Sequence, residues 1–415
     1  MLTEQRSLPK QIDTVVIGGG QAGLVMSHRL SALGCPHVVL ERDGIAQRWR
    51  SERWDSLRFQ FPNWSVRLPD FPYPHADPDG FAPRDAILRF IEAYAAFIQA
   101  PVRCPVAVTS LRRLPGASGF LVETSVGSIE AANVVLATGP YQRPAMPSVA
   151  HDLDSAIFQV HSSRYRNPAQ LPQGGVLVVG AGASGAQIAE DLLLAGRLVH
   201  LSVGAHLRLP RRYRGRDVIW WLSALGMDET IAEKRPPDHS PRVFSGAGGG
   251  HTIDFRRFAA DGIVLLGRAL AAQGGVMSFG SDLAASLAHG DAAYANFLAA
   301  ADAYVRRGGA DLPEDPAARD GLPDPAELAD PILSLDLVAT GIASIVWATG
   351  YGYDLGWVDL PVLDAAGRPV HRRGVTDVEG IYFLGLQWQR KAKSAFLSGV
   401  GEDAAYLGER IAARG

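Results

Sequence analysis

The stretch Asp13-Thr14-Val15-Val16-Ile17-Gly18-Gly19-Gly20-Gln21-Ala22-Gly23 decides the fold: an apolar, β-branched run breaks into glycines and becomes helical from Leu24 to Leu33. The pattern is strand, tight turn, helix. Gly18 permits the turn, Gly20 lets the main chain approach a pyrophosphate, and Gly23 lets the helix pack on the strand. Free N–H groups and the positive end of the helix dipole then hold phosphate charge. A second strand, His37-Val38-Val39-Leu40, ends at Glu41, whose carboxylate is placed to accept hydrogen bonds from a ribose 2′-hydroxyl. A glycine turn in an ordinary βαβ unit is the plainer reading. Strand, helix and acid occur together here, however, so an adenine dinucleotide is expected on this unit.

The device recurs. Gly174-Gly175-Val176-Leu177-Val178-Val179-Gly180-Ala181-Gly182-Ala183-Ser184-Gly185 repeats the glycine spacing, followed by a helix from Ala186 to Ala195 and a strand from Leu198 to Val203. Two such turns imply two dinucleotides. The second copy ends in Ser202-Val203-Gly204 with no acid, and Arg208, Arg211 and Arg212 follow. A missing carboxylate with guanidinium groups nearby favours a 2′-phosphate, which makes the second nucleotide NADPH and the first FAD. The same arginines would equally suit a solvated basic loop.

The 415-residue, 47% hydrophobic chain exceeds the roughly 250–300 residues at which single cores stop growing, so two domains are expected. A net charge of −3 gives no reason to expect nucleic acid or an anionic membrane as partner. The two cysteines, Cys35 and Cys104, form no C-x-x-C, the pair that a disulfide-reducing flavoprotein needs beside its flavin. Met1 to Gln11 lacks the apolar core of a signal peptide, and no apolar run approaches the ~20 residues that span a bilayer. A cytoplasmic enzyme without stable membrane insertion is expected.

Between Arg42 and Asp70 the chain is rich in Arg and aromatics: Arg48-Trp49-Arg50, Arg53-Trp54, then Phe59-Gln60-Phe61-Pro62-Asn63-Trp64. Such side chains suit a wall around a flat ring system, and serve equally as plain core. Arg84 to Ala100 has helical periodicity; Val106–Thr109, Phe120–Thr124 and Ser128–Glu130 read as short antiparallel strands. Asn133 to Gly139 is a buried strand reaching Ala137-Thr138-Gly139, and Pro140 to Pro147 is a linker. His161 has no other ligand at metal spacing and reads as a structural histidine between domains. A long insertion from about 211 to 331 includes an Asp/Pro-rich loop, Leu312 to Pro331, expected to be its most mobile part. Ile342 to Thr349 is a buried strand ending in Ala348-Thr349-Gly350-Tyr351, and Ala395 to Ala413 closes the chain as a helix.

Together, Gly18-x-Gly20-x-x-Gly23, Ala137-Thr138-Gly139, His161-Ser-Ser-Arg-Tyr165, Gly180-x-Gly182-x-x-Gly185 and Ala348-Thr349-Gly350-Tyr351 resemble, in order and spacing, the class B flavoprotein monooxygenases over nearly the whole chain. The length and Asp70-Phe71-Pro72-Tyr73-Pro74 are more similar to the flavin-containing monooxygenases and their plant auxin-synthesis relatives than to the longer Baeyer–Villiger enzymes. Ser155 and Ile157 stand where the class fingerprint has an aromatic residue and a glycine, and Gly204 where an arginine often follows the second strand.

The resemblance implies an α/β fold of two Rossmann-like dinucleotide-binding domains, the second inserted in the first, with an added α-rich insertion. The expected boundaries are 1–145 with 335–415 for the FAD domain and 146–334 for the NADPH domain, with the insertion at about 211–331 inside it. It further implies that NADPH reduces the flavin, which captures dioxygen as a C4a-(hydro)peroxyflavin. One oxygen atom then passes to a small organic substrate by N- or S-oxygenation or Baeyer–Villiger-type insertion. The expected cofactor contacts are Gly18, Gly20, Gln21, Ala22, Gly23, Glu41, Arg42, Trp49, Thr138, Gly139, Gly180, Gly182, Ser184, Gly185, Ser202, Arg208, Arg211, Thr349, Gly350 and Gly385. Asn63 is the counterpart of an active-site asparagine, no metal is expected, and a homodimer is left open. The alternatives are an FAD-dependent NAD(P)H reductase or oxidase without oxygen insertion, and a non-catalytic nucleotide-binding regulator.

Overall fold

The computed structural model describes residues 8–116 and 118–414, so most of the N-terminal stretch read for a leader lies outside the described residues. Strand β1 (Gln11–Ile17) runs into helix α1 (Gln21–Ala32), and β2 (His37–Leu40) lies parallel to β1 with Thr14 beside His37. In helix α2 (Arg84–Phe97), Ile87, Leu88, Phe90, Ile91 and Tyr94 fall on one face at helical spacing, and that face is buried against α1. β3 (Val102–Arg103) extends the sheet beside β2. A meander of β4 (Val108–Arg113), β5 (Phe120–Thr124) and β6 (Gly127–Leu136) follows.

β6 is one continuous strand where the sequence reading has two. Its first half alternates exposed and buried residues and pairs antiparallel with β5; from Asn133 to Leu136 it is fully buried and runs parallel to β1. The two hydrophobic patterns of one strand, half-covered and doubly covered, read as two elements.

The chain then builds a second sheet. β7 (Phe158–His161) precedes β8 (Gly175–Val179), helix α3 (Ala183–Leu194), β9 (Val199–Ser202) and β10 (Val264–Leu266). β11 (Ala269–Gln273), β12 (Val276–Phe279), the 24-residue helix α4 (Leu283–Arg306), β13 (Ser334–Asp336) and β14 (Ile342–Trp347) complete it. The parallel order is β7-β14-β8-β9-β10, and the antiparallel sheet β11-β12-β13 covers one face through Met277, Phe279 and Leu335 against Leu177, Val179 and Trp347.

Two boundaries therefore move. β14, expected on the flavin side of residue 335, lies between β7 and β8 in the second sheet. The stretch 211–331 is not wholly an insertion, because β10, β11 and β12 belong to the second unit's own sheets. What is added is the helix Val218–Ala224 with its surrounding loops and α4, which share a core of Tyr213, Val218, Trp221, Phe244, Phe297 and Leu298.

β15 (Ile381–Phe383) returns to the first sheet beside β6, giving β3-β2-β1-β6-β15 with the meander branching from β6. Helix α5 (Val400–Ala412) packs on α1 through Val400, Ala404, Leu407 and Ile411 against Met26 and Leu30. The fold is thus two Rossmann-like units, the second inserted between β6 and β15 of the first. Where the chain crosses between them, Arg143–Pro144 pairs antiparallel with Tyr351–Gly352. Among the described residues no helix is long and apolar enough to cross a membrane.

Candidate nucleotide sites and the cleft between them

The two glycine turns are built to one plan. A Cβ on Gly18 (φ +116°) would lie 2.5 Å from the Ala137 carbonyl oxygen, and one on Gly180 (φ +104°) 2.6 Å from that of Ala348. A Cβ on Gly23 would strike the Gly18 carbonyl, and one on Gly185 the Gly180 carbonyl, inside the 3.0 Å that real Cβ atoms keep. Ala137-Thr138-Gly139 and Ala348-Thr349-Gly350 are thus corresponding return strands, each pressed on the first glycine of its turn. The middle glycines differ: a Cβ on Gly20 would have no neighbour within 4 Å, whereas one on Gly182 would face the Pro241 ring at 3.7 Å. The open space at Gly20, at the start of the 12-residue α1, fits the pyrophosphate of an adenine dinucleotide.

Around the first turn, Glu41 Oε2 accepts from the Gly19 N–H at 2.7 Å and Oε1 from the Asp43 N–H at 3.0 Å. These bonds fix the carboxylate beside the turn and leave lone pairs for a ribose. Arg42 is exposed and paired with Asp43 at 3.2 Å. Gln21 Nε2 donates to the Ala395 carbonyl at 2.7 Å, and a Cβ on Gly385 would lie 2.6 Å from Ala22 Cβ, so the segment after β15 closes over the start of α1. Thr138 Oγ1 and the Gly139 carbonyl each accept from Gln142 Nε2 at 2.7 Å. Ser184 lies in the first turn of α3, half-buried, and Thr349 Oγ1 donates to the Ala145 carbonyl at 2.6 Å.

At the second turn the residues expected to hold a 2′-phosphate are engaged elsewhere, which corrects the sequence reading. Ser202, 2% exposed, donates to the Gly267 carbonyl at 2.9 Å and accepts from the Ala269 N–H at 3.1 Å, pinning the start of β11. Arg211, 1% exposed, holds Asp217 through hydrogen bonds of 2.8 and 2.9 Å. Arg208 is bracketed by Asp254 and Asp291 and lies over the Tyr294 ring at 4.3 Å. A buried guanidinium is tolerated only when paired, and that pairing takes the charge a ligand would need. The linear sequence displays the bases but not the acids folded against them.

Between the units, Trp49, Phe59, Phe61 and Phe396 form an aromatic ladder with successive centroids 5.5, 5.1 and 4.9 Å apart. Phe396 comes from the C-terminal segment, and no sequence signal joins it to the other three. Beside the ladder opens a cavity of ≈ 180 Å³ lined by Phe61, Trp64, Leu222, Asp228, Lys393 and Phe396 among others. Asn63 stands next to this wall but is engaged: its Nδ2 donates to the Asp77 carbonyl and its main-chain N–H to that of Gly80, both at 2.9 Å. The Oδ1 of Asn63 and the Oε1 of Gln60 are buried acceptors without a partner, and buried acceptors call for a donor.

The lip of the cavity joins the added region to the C-terminal segment. Ile231 bridges Lys391, and Lys391 and Lys393 both reach Glu229 and Glu402. Burial alone would raise the Glu402 carboxyl, but the two lysines hold it down to about 2.

His161, expected between the domains, instead ends β7 inside the second sheet, opposite Trp347. His161 is 5% exposed, and burial lowers its pKa, so the neutral ring donates from Nε2 to the Gly350 carbonyl at 3.0 Å and accepts at Nδ1 from the Ser163 N–H at 3.1 Å. Tyr165 Oη donates to Asp191 Oδ2 on α3 at 2.6 Å, and Ser56 of the first unit donates to the other oxygen at 2.6 Å.

Residues 15–224 match the family model described as pyridine nucleotide-disulphide oxidoreductase. The chain is 33% identical over 399 residues to an uncharacterized oxidoreductase CzcO-like of Geobacillus kaustophilus, covering 95% of this chain and 97% of that one. It is 30% identical over 245 residues to the probable indole-3-pyruvate monooxygenase YUCCA4 of Arabidopsis thaliana, 57% of each chain. The flavin-containing monooxygenase of Stenotrophomonas maltophilia superposes with a TM-score of 0.67 at 19% identity, over 98% of this chain and 99% of that one, a likeness of fold.

Proposed function

Because the chain belongs to the pyridine nucleotide-disulphide oxidoreductase family, we propose that it holds FAD on its first glycine turn and NADPH on its second, and transfers one oxygen atom of dioxygen to a small organic substrate. The observation that carries this reading is the doubled cradle, Gly18 against Ala137 and Gly180 against Ala348, two dinucleotide turns of one design in one chain. The disulfide reaction in the family's description needs a pair of thiols; this chain has two cysteines, Cys35 and Cys104, and both are free. The indole-3-pyruvate monooxygenase relative supports oxygen transfer instead.

Bound FAD supplies the oxygen chemistry and bound NADPH the hydride. The chain's own part is binding and exclusion. Glu41 positions the ribose of the first nucleotide, and the N–H groups at the start of α1 and α3 hold phosphate charge. Trp49, Phe59, Phe61 and Phe396 keep water from the reacting end, where a dry pocket protects oxygenated species from loss. Gln60 Oε1 and Asn63 Oδ1, buried beside the aromatic wall and without a partner among the described residues, have acceptor capacity to spare there.

Turnover with NADPH, doubly labelled dioxygen and a panel of amines, sulfides and ketones tests the reading. A single labelled atom in an organic product is expected. NADPH oxidation that yields labelled peroxide alone with every compound overturns oxygen transfer and leaves an oxidase.

A further inference from the structure

The second nucleotide cradle lacks the charge its ligand requires if only the residues near β9 are counted. Ser202 is buried under β11, Arg208 and Arg211 are held by aspartates, the exposed Arg212 turns to the Gly249 and Gly250 carbonyls, and Gly204 carries no side chain.

The short strand Arg242–Val243 supplies what is missing. It runs parallel to Leu207–Arg208, just after β9, with Leu207 beside Arg242 and the Leu207 N–H donating to the Pro241 carbonyl at 2.8 Å. Pro241 is the residue whose ring stands 3.7 Å from a Cβ placed on Gly182, so Arg242 follows the residue at the mouth of the turn. Val243 is fully buried in the core of the second unit, and strand alternation turns Arg242 away from that core. Arg208, Arg211, Arg214 and Arg256 each hold carboxylates. Among the described residues Arg242 accepts no such partner: burial pushes its guanidinium below the ordinary value, and only Asp228 acts against this, without a hydrogen bond. Asp228 itself lines the cleft cavity, so Arg242 has its one charged neighbour on the side of the cleft.

We infer that Arg242 is the guanidinium that receives a phosphate of the second dinucleotide. The inference rests on the two-cofactor reading above. A half-buried guanidinium with no anion hydrogen-bonded to it is unfavourable, and a phosphate group meets its planar donor fork with charge-assisted hydrogen bonds. Both the pyrophosphate and a 2′-phosphate offer that chemistry.

The test is calorimetric titration of NADP⁺ and NAD⁺ into the purified full chain, comparing wild type with Arg242→Ala, Arg242→Gln and Arg242→Lys. Flavin content and far-ultraviolet circular dichroism confirm that each variant is folded. Loss of the charge should weaken NADP⁺ binding on the order of tenfold to a hundredfold, the range of a charged hydrogen bond, and lysine should recover part of it. A loss confined to NADP⁺ assigns the 2′-phosphate; an equal loss for both nucleotides assigns the pyrophosphate. Unchanged affinities in the folded alanine and glutamine variants overturn the inference. Failure of the wild type to bind either nucleotide overturns the two-cofactor reading itself, a separate result.

Discussion

Arg211 Nη1 donates to the main-chain carbonyl of Gln60 at 2.7 Å, so a residue of the added region holds the aromatic wall of the other unit in place. The same guanidinium grips Asp217, which caps the helix Val218–Ala224 by accepting from the Ile219 N–H at 2.9 Å. Its plane lies over the Phe81 ring at 4.4 Å. Arg211→Ala leaves Asp217 buried and uncompensated, and should destabilise the protein by about 3–5 kcal/mol in urea unfolding. A loss below about 1 kcal/mol would show that the pair is open to solvent.

The glycines separate folding from binding. Gly20→Ala meets no atom within 4 Å and should change stability by less than about 1 kcal/mol while lowering flavin content. Gly185→Ala drives a methyl into the Gly180 carbonyl, and should cost about 1–3 kcal/mol and abolish NADP⁺ binding with FAD retained. Flavin absorbance per chain and nucleotide titration read both; loss of FAD from the Gly185 variant would refute the assignment of the two turns.

Acid sensitivity follows from buried histidines. Burial lowers the pKa of His37, His161, His200, His206 and His371, so the unfolded chain binds their protons first as the pH falls. Their contribution is intact above the unfolded value near 6.5 and is lost below it, by up to about 1.4 kcal/mol per pH unit for each proton. His251, raised by the Glu190 carboxylate 2.8 Å from its Nε2, opposes this: its contribution is present at low pH and is lost as the pH rises through its folded value. Unfolding free energy should therefore fall between pH 6.5 and 5, and a flat profile there would contradict the burial.

The lip of the cavity should open without unfolding the molecule. Glu229 and Glu402 are 45% and 41% exposed in their side chains, so screening limits the pairs with Lys391 and Lys393 to about 1 kcal/mol or less. Glu229→Ala should leave the urea midpoint nearly unchanged and speed hydrogen exchange at the amides of Ala232, Ala392 and Lys393, which bond across the lip. Unaltered exchange there would show that the main-chain bridge alone holds it closed.

Elements with local cause were legible in the sequence. The first and last glycines of both turns sit where the backbone contacts demand them, because Gly18, Gly23, Gly180 and Gly185 are each fixed by atoms of their own βαβ unit or of its return strand. α2 declared itself through Ile87, Leu88, Phe90, Ile91 and Tyr94. What was hidden depends on partners distant in the chain. Arg208 and Arg211 looked like free bases because Asp254, Asp291 and Asp217 are brought to them only by folding. β14 carries the same buried apolar run whichever sheet it joins, so its place between β7 and β8 is set by topology and not by its residues. Phe396 and Lys393 reach the cleft from an irregular segment: the closing helix, expected from Ala395, begins only at Val400, and nothing in the stretch before it shows where its side chains go.

The return strands also set an order of assembly. Gly180 meets Ala348 and Gly18 meets Ala137, but the first turn is further closed by Gly385 against Ala22 and by Ala395 against Gln21. During synthesis the second unit has all its strands once residue 347 has emerged, while the first still lacks β15 and α5. The unit begun first is finished last, and its long-range closure must wait for its inserted neighbour to fold. A nascent chain halted between β14 and β15 should therefore retain NADP⁺ before it can retain flavin, so cofactor loading follows the reverse of the order in which the two turns are written in the sequence.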